Sequence, residues 1–228
     1  MCGRYTNHTP SYRFSRILGI EGSGVPDLPP RYNISPGSHV LAAREDSDAG
    51  PQLVMLRWGL VPFWAKEPSI GNRLINARAE TVASKPAFRA AFRHRRALVC
   101  ADGFYEWAVV AGGKHPHHFR MRDGEPFFFA ALWERWDREG PVVESCTLIT
   151  TTANECVSAV HDRMPVILAQ KDYAKWLDPE FRKPDELQAM LAPYPAEAME
   201  GFPVSRAVNR PANDQAQLLE PVQQDADR

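Results

Sequence analysis

The chain opens Met1-Cys2-Gly3-Arg4-Tyr5. Removal of Met1 would leave Cys2 as a 1,2-aminothiol, with an α-amine of reference pKa near ~8 and a thiol near ~8.5. Both nucleophiles are then available close to neutral pH. An amine condenses with an aldehyde to a Schiff base, and the neighbouring thiol can close onto the same carbon as a five-membered thiazolidine. Gly3 leaves room for close approach of backbone or substrate. Position alone also allows Cys2 to be an ordinary second residue. Three further stretches set polar side chains among apolar ones: Ile75-Asn76-Ala77-Arg78-Ala79-Glu80, Ala101-Asp102-Gly103-Phe104-Tyr105-Glu106-Trp107, and Val160-His161-Asp162-Arg163-Met164-Pro165.

The elements that must position these stretches are mostly short strands. Strands are predicted over His39–Arg44, Leu53–Trp58, Arg96–Ala101, Phe104–Val109, His118–Arg122, Pro126–Leu132, Glu144–Thr151, Pro165–Leu168 and Pro203–Ala207. Ala111-Gly112-Gly113-Lys114 reads as a hairpin loop. Helices are predicted after Thr9-Pro10, over Pro86–Arg93, after an Asn154 cap, and over Gln170–Leu177 and Pro184–Leu191. Pro29–Gly37 reads as turn-rich coil and Gly22-Ser23-Gly24 as a loop. Trp58–Trp64 is too aromatic and too broken by Gly and Pro for a regular element, and suits the wall of a site. Strands with hairpins and no βαβ alternation indicate an α+β fold with a largely antiparallel β core, either an open barrel or two packed sheets, flanked by short peripheral helices.

With 228 residues and 44% hydrophobic content the chain can bury one sizeable core, and no linker divides it. One domain over residues 1–222 is expected, with a disordered tail at 223–228. The longest apolar run, Phe127–Trp133, is too short for a membrane span, and no signal-peptide pattern precedes it, so a cytoplasmic, membrane-free protein is expected. Cysteines at 2, 100, 146 and 156 form no Cys-x-x-Cys pair. Cys100 and Cys146 read as buried thiols in strands, and Cys156 as a helix residue. His115-Pro116-His117-His118 has no partner cluster for a metal and reads as surface strand. The formal net charge is −1, which argues against a globally basic nucleic-acid binder. Arg73–Arg96, however, holds seven cations (Arg73, Arg78, Lys85, Arg89, Arg93, Arg95 and Arg96) against Glu80 alone. Such a cluster is either a polyanion footprint or a solvated helix face.

The four polar stretches resemble the signature motifs of the SOS-response-associated peptidase family: Met-Cys-Gly-Arg, Asn-Ala-Arg-x-Glu, Asp-Gly-Phe-Tyr-Glu-Trp and His-Asp-Arg-x-Pro. The likeness extends to Arg31-Tyr32-Asn33, Trp58-Gly59 and Val204-Ser205-Arg206-Ala207-Val208. It implies autocatalytic removal of Met1 and crosslinking, through a thiazolidine, to abasic sites in single-stranded DNA by a cofactor-free, metal-free protein. It further implies a cytoplasmic monomer that joins the nucleoid when bound to DNA. Cys2, Asn76, Glu106 and His161 form the implied catalytic set, and Arg4, Asn33, Trp64, Arg78, Thr150 and Arg163 the implied DNA contacts. The physical reading agrees. Opening a cyclic abasic sugar needs a proton moved, and His161, with a reference pKa near ~6.5, suits this. Glu106 between aromatic neighbours is expected to have a raised pKa. Asn76 can hold Cys2 or donate to developing negative charge without titrating. Trp64 can be a core residue or a base-stacking platform. Two other readings use the same residues: an amino-terminal-nucleophile cysteine peptidase, and a non-catalytic single-strand-binding module.

Overall fold

The computed structural model describes residues 2–20, 28–46, 50–110, 113–138 and 140–223. The predicted Gly22–Gly24 loop, the turn at Ala111-Gly112 and nearly all of the predicted tail lie outside these residues. Among them are two sheets. The five-stranded sheet comprises β1 (Arg4–Asn7), β2 (Arg31–Ile34), β7 (Gly103–Val110), β8 (Gly113–Met121) and β12 (Met199–Pro203), in the order β12-β8-β7-β1-β2. The larger sheet is built from β3 (His39–Asp46), β4 (Gly50–Trp58), β6 (Arg96–Ala101), β9 (Phe127–Trp136), β10 (Val143–Thr152) and β11 (Arg163–Pro165), with β5 (Asn76–Arg78) alongside β10. Pairing is antiparallel except where β4 and β5 run parallel to β10. The α+β fold with a largely antiparallel core, in the form of two packed sheets, is therefore what the sequence implied.

Alternation along the central strands explains the layers. Ala97, Val99, Ala101, Phe127, Phe129 and Ala131 join Tyr5, Phe104 and Phe119 in the layer between the sheets. Leu98, Cys100, Phe128, Ala130 and Leu132 face the other way, against Phe14, Phe92, Trp176 and Leu187. Those four come from the helices α1 (Ser11–Leu18), α2 (Arg89–His94), α4 (Tyr173–Leu177) and α5 (Pro184–Ala189). Strands covered on both faces read as continuous apolar runs, because successive side chains point to opposite faces. Asn154 caps α3 (Glu155–Ser158) by accepting from Val157 N at 3.1 Å, as predicted.

Several local expectations are corrected. Arg31–Ile34 is strand, not coil, held by Asp214, which accepts from the Arg31 side chain and the Tyr32 and Asn33 amides. The late strand is Met199–Pro203, and Arg206–Asn209 is a 3-10 turn. After β11, Ile167 joins the sheet only through a bridge to Phe129. Arg96 does not belong to a basic surface. It is 2% exposed, and its guanidinium donates to the carbonyls of Phe92, Arg93, Trp176, Asp178 and Phe181. Arg95 likewise is paired with the buried Glu134 at 2.6 Å. His118 is buried rather than on a strand surface.

Candidate active site

The four polar stretches converge. In the register of β1 and β7, Arg4 lies opposite Tyr105, so the chain before Arg4 runs alongside Glu106. Asp102 sets this register: its carboxylate accepts from Thr6 Oγ1 at 2.6 Å and from the amides of His8 and Thr9 at 2.6 and 2.8 Å. A carboxylate that takes several donors fixes a turn strongly, since charge-assisted bonds are the stronger kind. Gly103 follows because any side chain would collide there: a Cβ would sit 2.2 Å from Nε2 of His118.

Asn76 enters from β5, opposite Leu148 of β10. Its Nδ2 donates to the Cys2 carbonyl at 2.7 Å, while its Oδ1 is buried with no donor among the described residues. Trp58 supports the strand by donating from Nε1 to the Ile75 carbonyl at 2.9 Å. His161 follows α3. Its Nε2 lies 4.0 Å from Glu106 Oε2. Its Nδ1 accepts from the Arg163 amide at 2.9 Å and also lies 3.0 Å from Asp162 Oδ1. The two contacts ask for opposite protonation of Nδ1. The backbone bond decides, because Asp162 is 88% exposed and its carboxylate is free to turn to water, whereas the amide is fixed. The imidazole is thus held as the Nε2–H tautomer, with that hydrogen on the Glu106 side.

The electrostatics follow from burial. Glu106 is 2% exposed, and burial pushes its carboxyl up to about 7 against the pull of the amino-terminal charge. His161 is held below its ordinary value, first by burial and then by the same positive charge. The Cys2 thiol is fully buried and its pKa is raised well above the usual range, by burial first and the Glu106 charge second. Near neutral pH the site thus combines a carboxyl poised between two protonation states, a neutral imidazole and an un-ionised thiol. A proton can pass between the first two, and the thiol needs a base before it attacks.

A cleft of about 420 Å³ opens onto this pair, lined by Glu106, Trp107, Val109, Lys114, His161 and Asn209. Trp107 Nε1 donates to Asn209 Oδ1 at 2.7 Å, which joins the strand wall to the C-terminal segment. Sequence reasoning did not single out Lys114, Val109 or Asn209. Only the β7–β8 register, which puts Val109 opposite Lys114, could have brought the first two together. Among the described residues no group of three or more His, Cys, Asp or Glu side chains is placed to hold a metal ion.

The six residues implied at DNA are placed unequally. Arg78 is exposed at the end of β5. Trp64 is 42% exposed beside Phe63 at 52%, on a loop fixed where Gly59, at φ +126°, lets its backbone meet that of Gly71; a Cβ there would lie 2.7 Å from the Gly71 carbonyl oxygen. Arg4 is half-buried, its Nη1 donating to Asn33 Oδ1 and to the Val208 carbonyl, both at 2.9 Å. Asn33 is 1% exposed, and its Nδ2 lies 2.8 to 3.1 Å from the carbonyls of Val208, Arg210 and Asn213. Its position makes it a fastener of the C-terminal segment. Thr150 is fully buried beneath Arg163, which donates to the Thr150 carbonyl at 2.6 Å and to Glu80 through both Nη atoms.

Comparison with known proteins places the chain in a family. The model of the family described as SOS response associated peptidase (SRAP) matches residues 1–211. Abasic site processing protein YoaM of Bacillus subtilis is 41% identical over 223 residues, covering 96% of this chain and 98% of its own. Abasic site processing protein YedK of Escherichia coli is 33% identical, covering 97% and 100%. A crystal structure of a Bacteroides thetaiotaomicron protein has the same fold, with a TM-score of 0.83 at 23% identity over 97% of this chain and 100% of that one. A family model that matches residues 1–211 and relatives that are similar through nearly the whole sequence show that the chain belongs to the SOS response associated peptidase family.

Proposed function

We propose that the protein captures abasic sites in single-stranded DNA by forming a thiazolidine at Cys2 once Met1 has been removed. The observation that carries this reading is the clustering of Cys2, Asn76, Glu106 and His161 from four separate segments: Asn76 holds the Cys2 carbonyl, the Glu106 charge acts on the Cys2 thiol, and Glu106 and His161 line the cleft. The relatives named as abasic site processing proteins support it over almost their full length.

Two steps use these groups. In the first, Glu106 as carboxylate takes the Cys2 thiol proton, the thiolate attacks the Met1 carbonyl carbon, and Glu106 returns that proton to the departing nitrogen as the C–N bond breaks and the acyl group stays on sulfur. Water then hydrolyses the thioester, releasing methionine and regenerating the thiol beside a free α-amine. In the second, His161 and Glu106 move the proton that opens the sugar hemiacetal to its aldehyde. The amine adds to the aldehyde carbon and water leaves to give the imine. The thiol then adds to that carbon, its proton going to the imine nitrogen. Asn76 Oδ1 is available to accept from the α-amine, and Nδ2 holds the Cys2 backbone. A cleft of this size accommodates about one nucleotide.

Purified protein incubated with an abasic oligonucleotide and run on a denaturing gel tests the reading, with intact-mass spectrometry of the free chain alongside. Wild type should lack Met1 and give a heat-stable adduct. Cys2→Ser should give an adduct only after borohydride trapping, because its amine still forms the Schiff base and no thiol closes the ring. A heat-stable adduct of Cys2→Ser equal to that of wild type would refute the thiazolidine.

A further inference from the structure

Arg163 reaches across the end of β10. Its own strand pairs with β10 on one side, Arg163 opposite Thr152, while β5 pairs on the other, Arg78 opposite Thr150. The guanidinium spans the gap. Nη2 donates to the Thr150 carbonyl at 2.6 Å and to Glu80 Oε2 at 3.1 Å, and Nη1 donates to Glu80 Oε1 at 2.5 Å. The Arg163 side chain is 12% exposed and that of Glu80 48%, so the carboxylate lies on the solvent side of the pair. The backbone beneath Glu80 is anchored, with Ala79 N donating to the Thr150 carbonyl at 2.8 Å and Gln188 Nε2 to the Ala79 carbonyl at 3.0 Å. A fork engaged by two carboxylate oxygens presents the same geometry that it would give two phosphate oxygens.

We propose that Glu80 is a specificity residue: its carboxylate occupies the Arg163 fork as a phosphate surrogate, so intact single-stranded DNA binds without the Arg163 contact. The inference rests on the DNA-binding reading given above. An arriving phosphate meets the Glu80 charge first and must displace it to engage the fork, since both Nη atoms hold Glu80 and Nε is buried with no acceptor among the described residues. On an undamaged strand the exchange replaces one anion with another, gains little, and the strand leaves quickly. At an abasic site the covalent bond supplies the retention, so once the adduct has formed the weak non-covalent hold no longer limits how long the strand stays. Glu80 thereby separates brief sampling of intact strand from lasting attachment to damage.

The test compares wild type, Glu80→Gln and Glu80→Asp on an undamaged oligonucleotide by fluorescence anisotropy across a salt series, and on the abasic oligonucleotide by denaturing gel. Glu80→Gln keeps the shape and removes the charge. It should bind intact strand several-fold tighter, with a slope of log K against log salt steeper by ~0.7, the value for one added phosphate contact on a single strand. Glu80→Asp should stay near wild-type affinity. Intact-strand binding of Glu80→Gln that is equal to or weaker than wild type would overturn the inference, since Glu80 would then only brace Arg163. Crosslinking by the variants on the gel establishes that they are folded. Absence of crosslinking by wild type would instead remove the functional reading itself.

Discussion

Glu106 is the residue on which the proposed chemistry turns, and its burial has a cost that pH exposes. Its carboxyl moves from an ordinary 4.5 to about 7 in the folded chain. Between those values the native state binds a proton that the unfolded state has released, so this group's contribution to stability is complete below about pH 4.5 and is lost as pH rises through about 7. The full span, about 2.5 pH units, corresponds to ~3 kcal/mol. His161 acts in the opposite sense, since its pKa is lowered and its contribution to stability grows as pH rises towards the ordinary histidine value. Comparing wild type with Glu106→Gln isolates the carboxyl, because both chains keep His161. In urea titrations from pH 5 to 8 the variant should gain on wild type up to about pH 7, by ~2 to 3 kcal/mol, and hold that gain above it. A difference that stays constant with pH would mean that Glu106 is not held protonated by burial. The raised value was legible in the sequence, from a glutamate flanked by Tyr105 and Trp107. The lowering at His161 was not, because it depends first on how far the fold buries a ring that follows a short helix, and burial of that ring is not written in its neighbours.

At the scale of elements, the site depends on two short strands that carry little pattern of their own. β1 and β2 hold Arg4, Asn7, Arg31 and Asn33 among few apolar residues, so no alternation announces them. What makes them strands is distant: Asp102 behind β1 and Asp214 behind β2. The central strands were legible for the opposite reason, since burial on both faces leaves continuous runs such as Phe127–Leu132. Asn33 is an implied DNA contact through its motif, and its amide also joins Arg4 to the C-terminal segment and lies among three carbonyls. Asn33→Ala should therefore destabilise the fold by ~1 to 3 kcal/mol, the range for leaving buried polar partners unsatisfied, and should show it as a lower urea midpoint. Because Arg4 loses its side-chain partner in the same variant, crosslinking should slow as well. A variant with unchanged stability and weakened DNA binding would return Asn33 to the DNA surface.

For the whole molecule, charge layout decides how DNA would be held. The formal net charge is −1, so no long-range field of the protein draws a polyanion, and screening at ~8 Å in physiological salt confines attraction to contacts. The run Arg73–Arg96 suggested a broad basic face, yet Arg96 is consumed in the core and Arg95 is paired. Of the three arginines expected at phosphates, Arg163 is held by Glu80, Arg4 is half-buried and Arg78 is exposed. Two phosphate contacts at ~0.7 each give a slope of log K against log salt near −1.4 for intact single strands, where three would give about −2. Arg78→Ala should bring the slope to about −0.7 and weaken intact and abasic strands equally, because a phosphate contact positions the strand without reading it. Covalent capture by Arg78→Ala should recover at high DNA concentration, since the variant loses binding and keeps Cys2, Glu106 and His161 in place. An Arg78→Ala chain with an unchanged salt slope would show that the hold on DNA lies elsewhere, with the exposed Phe63 and Trp64 the next side chains to remove.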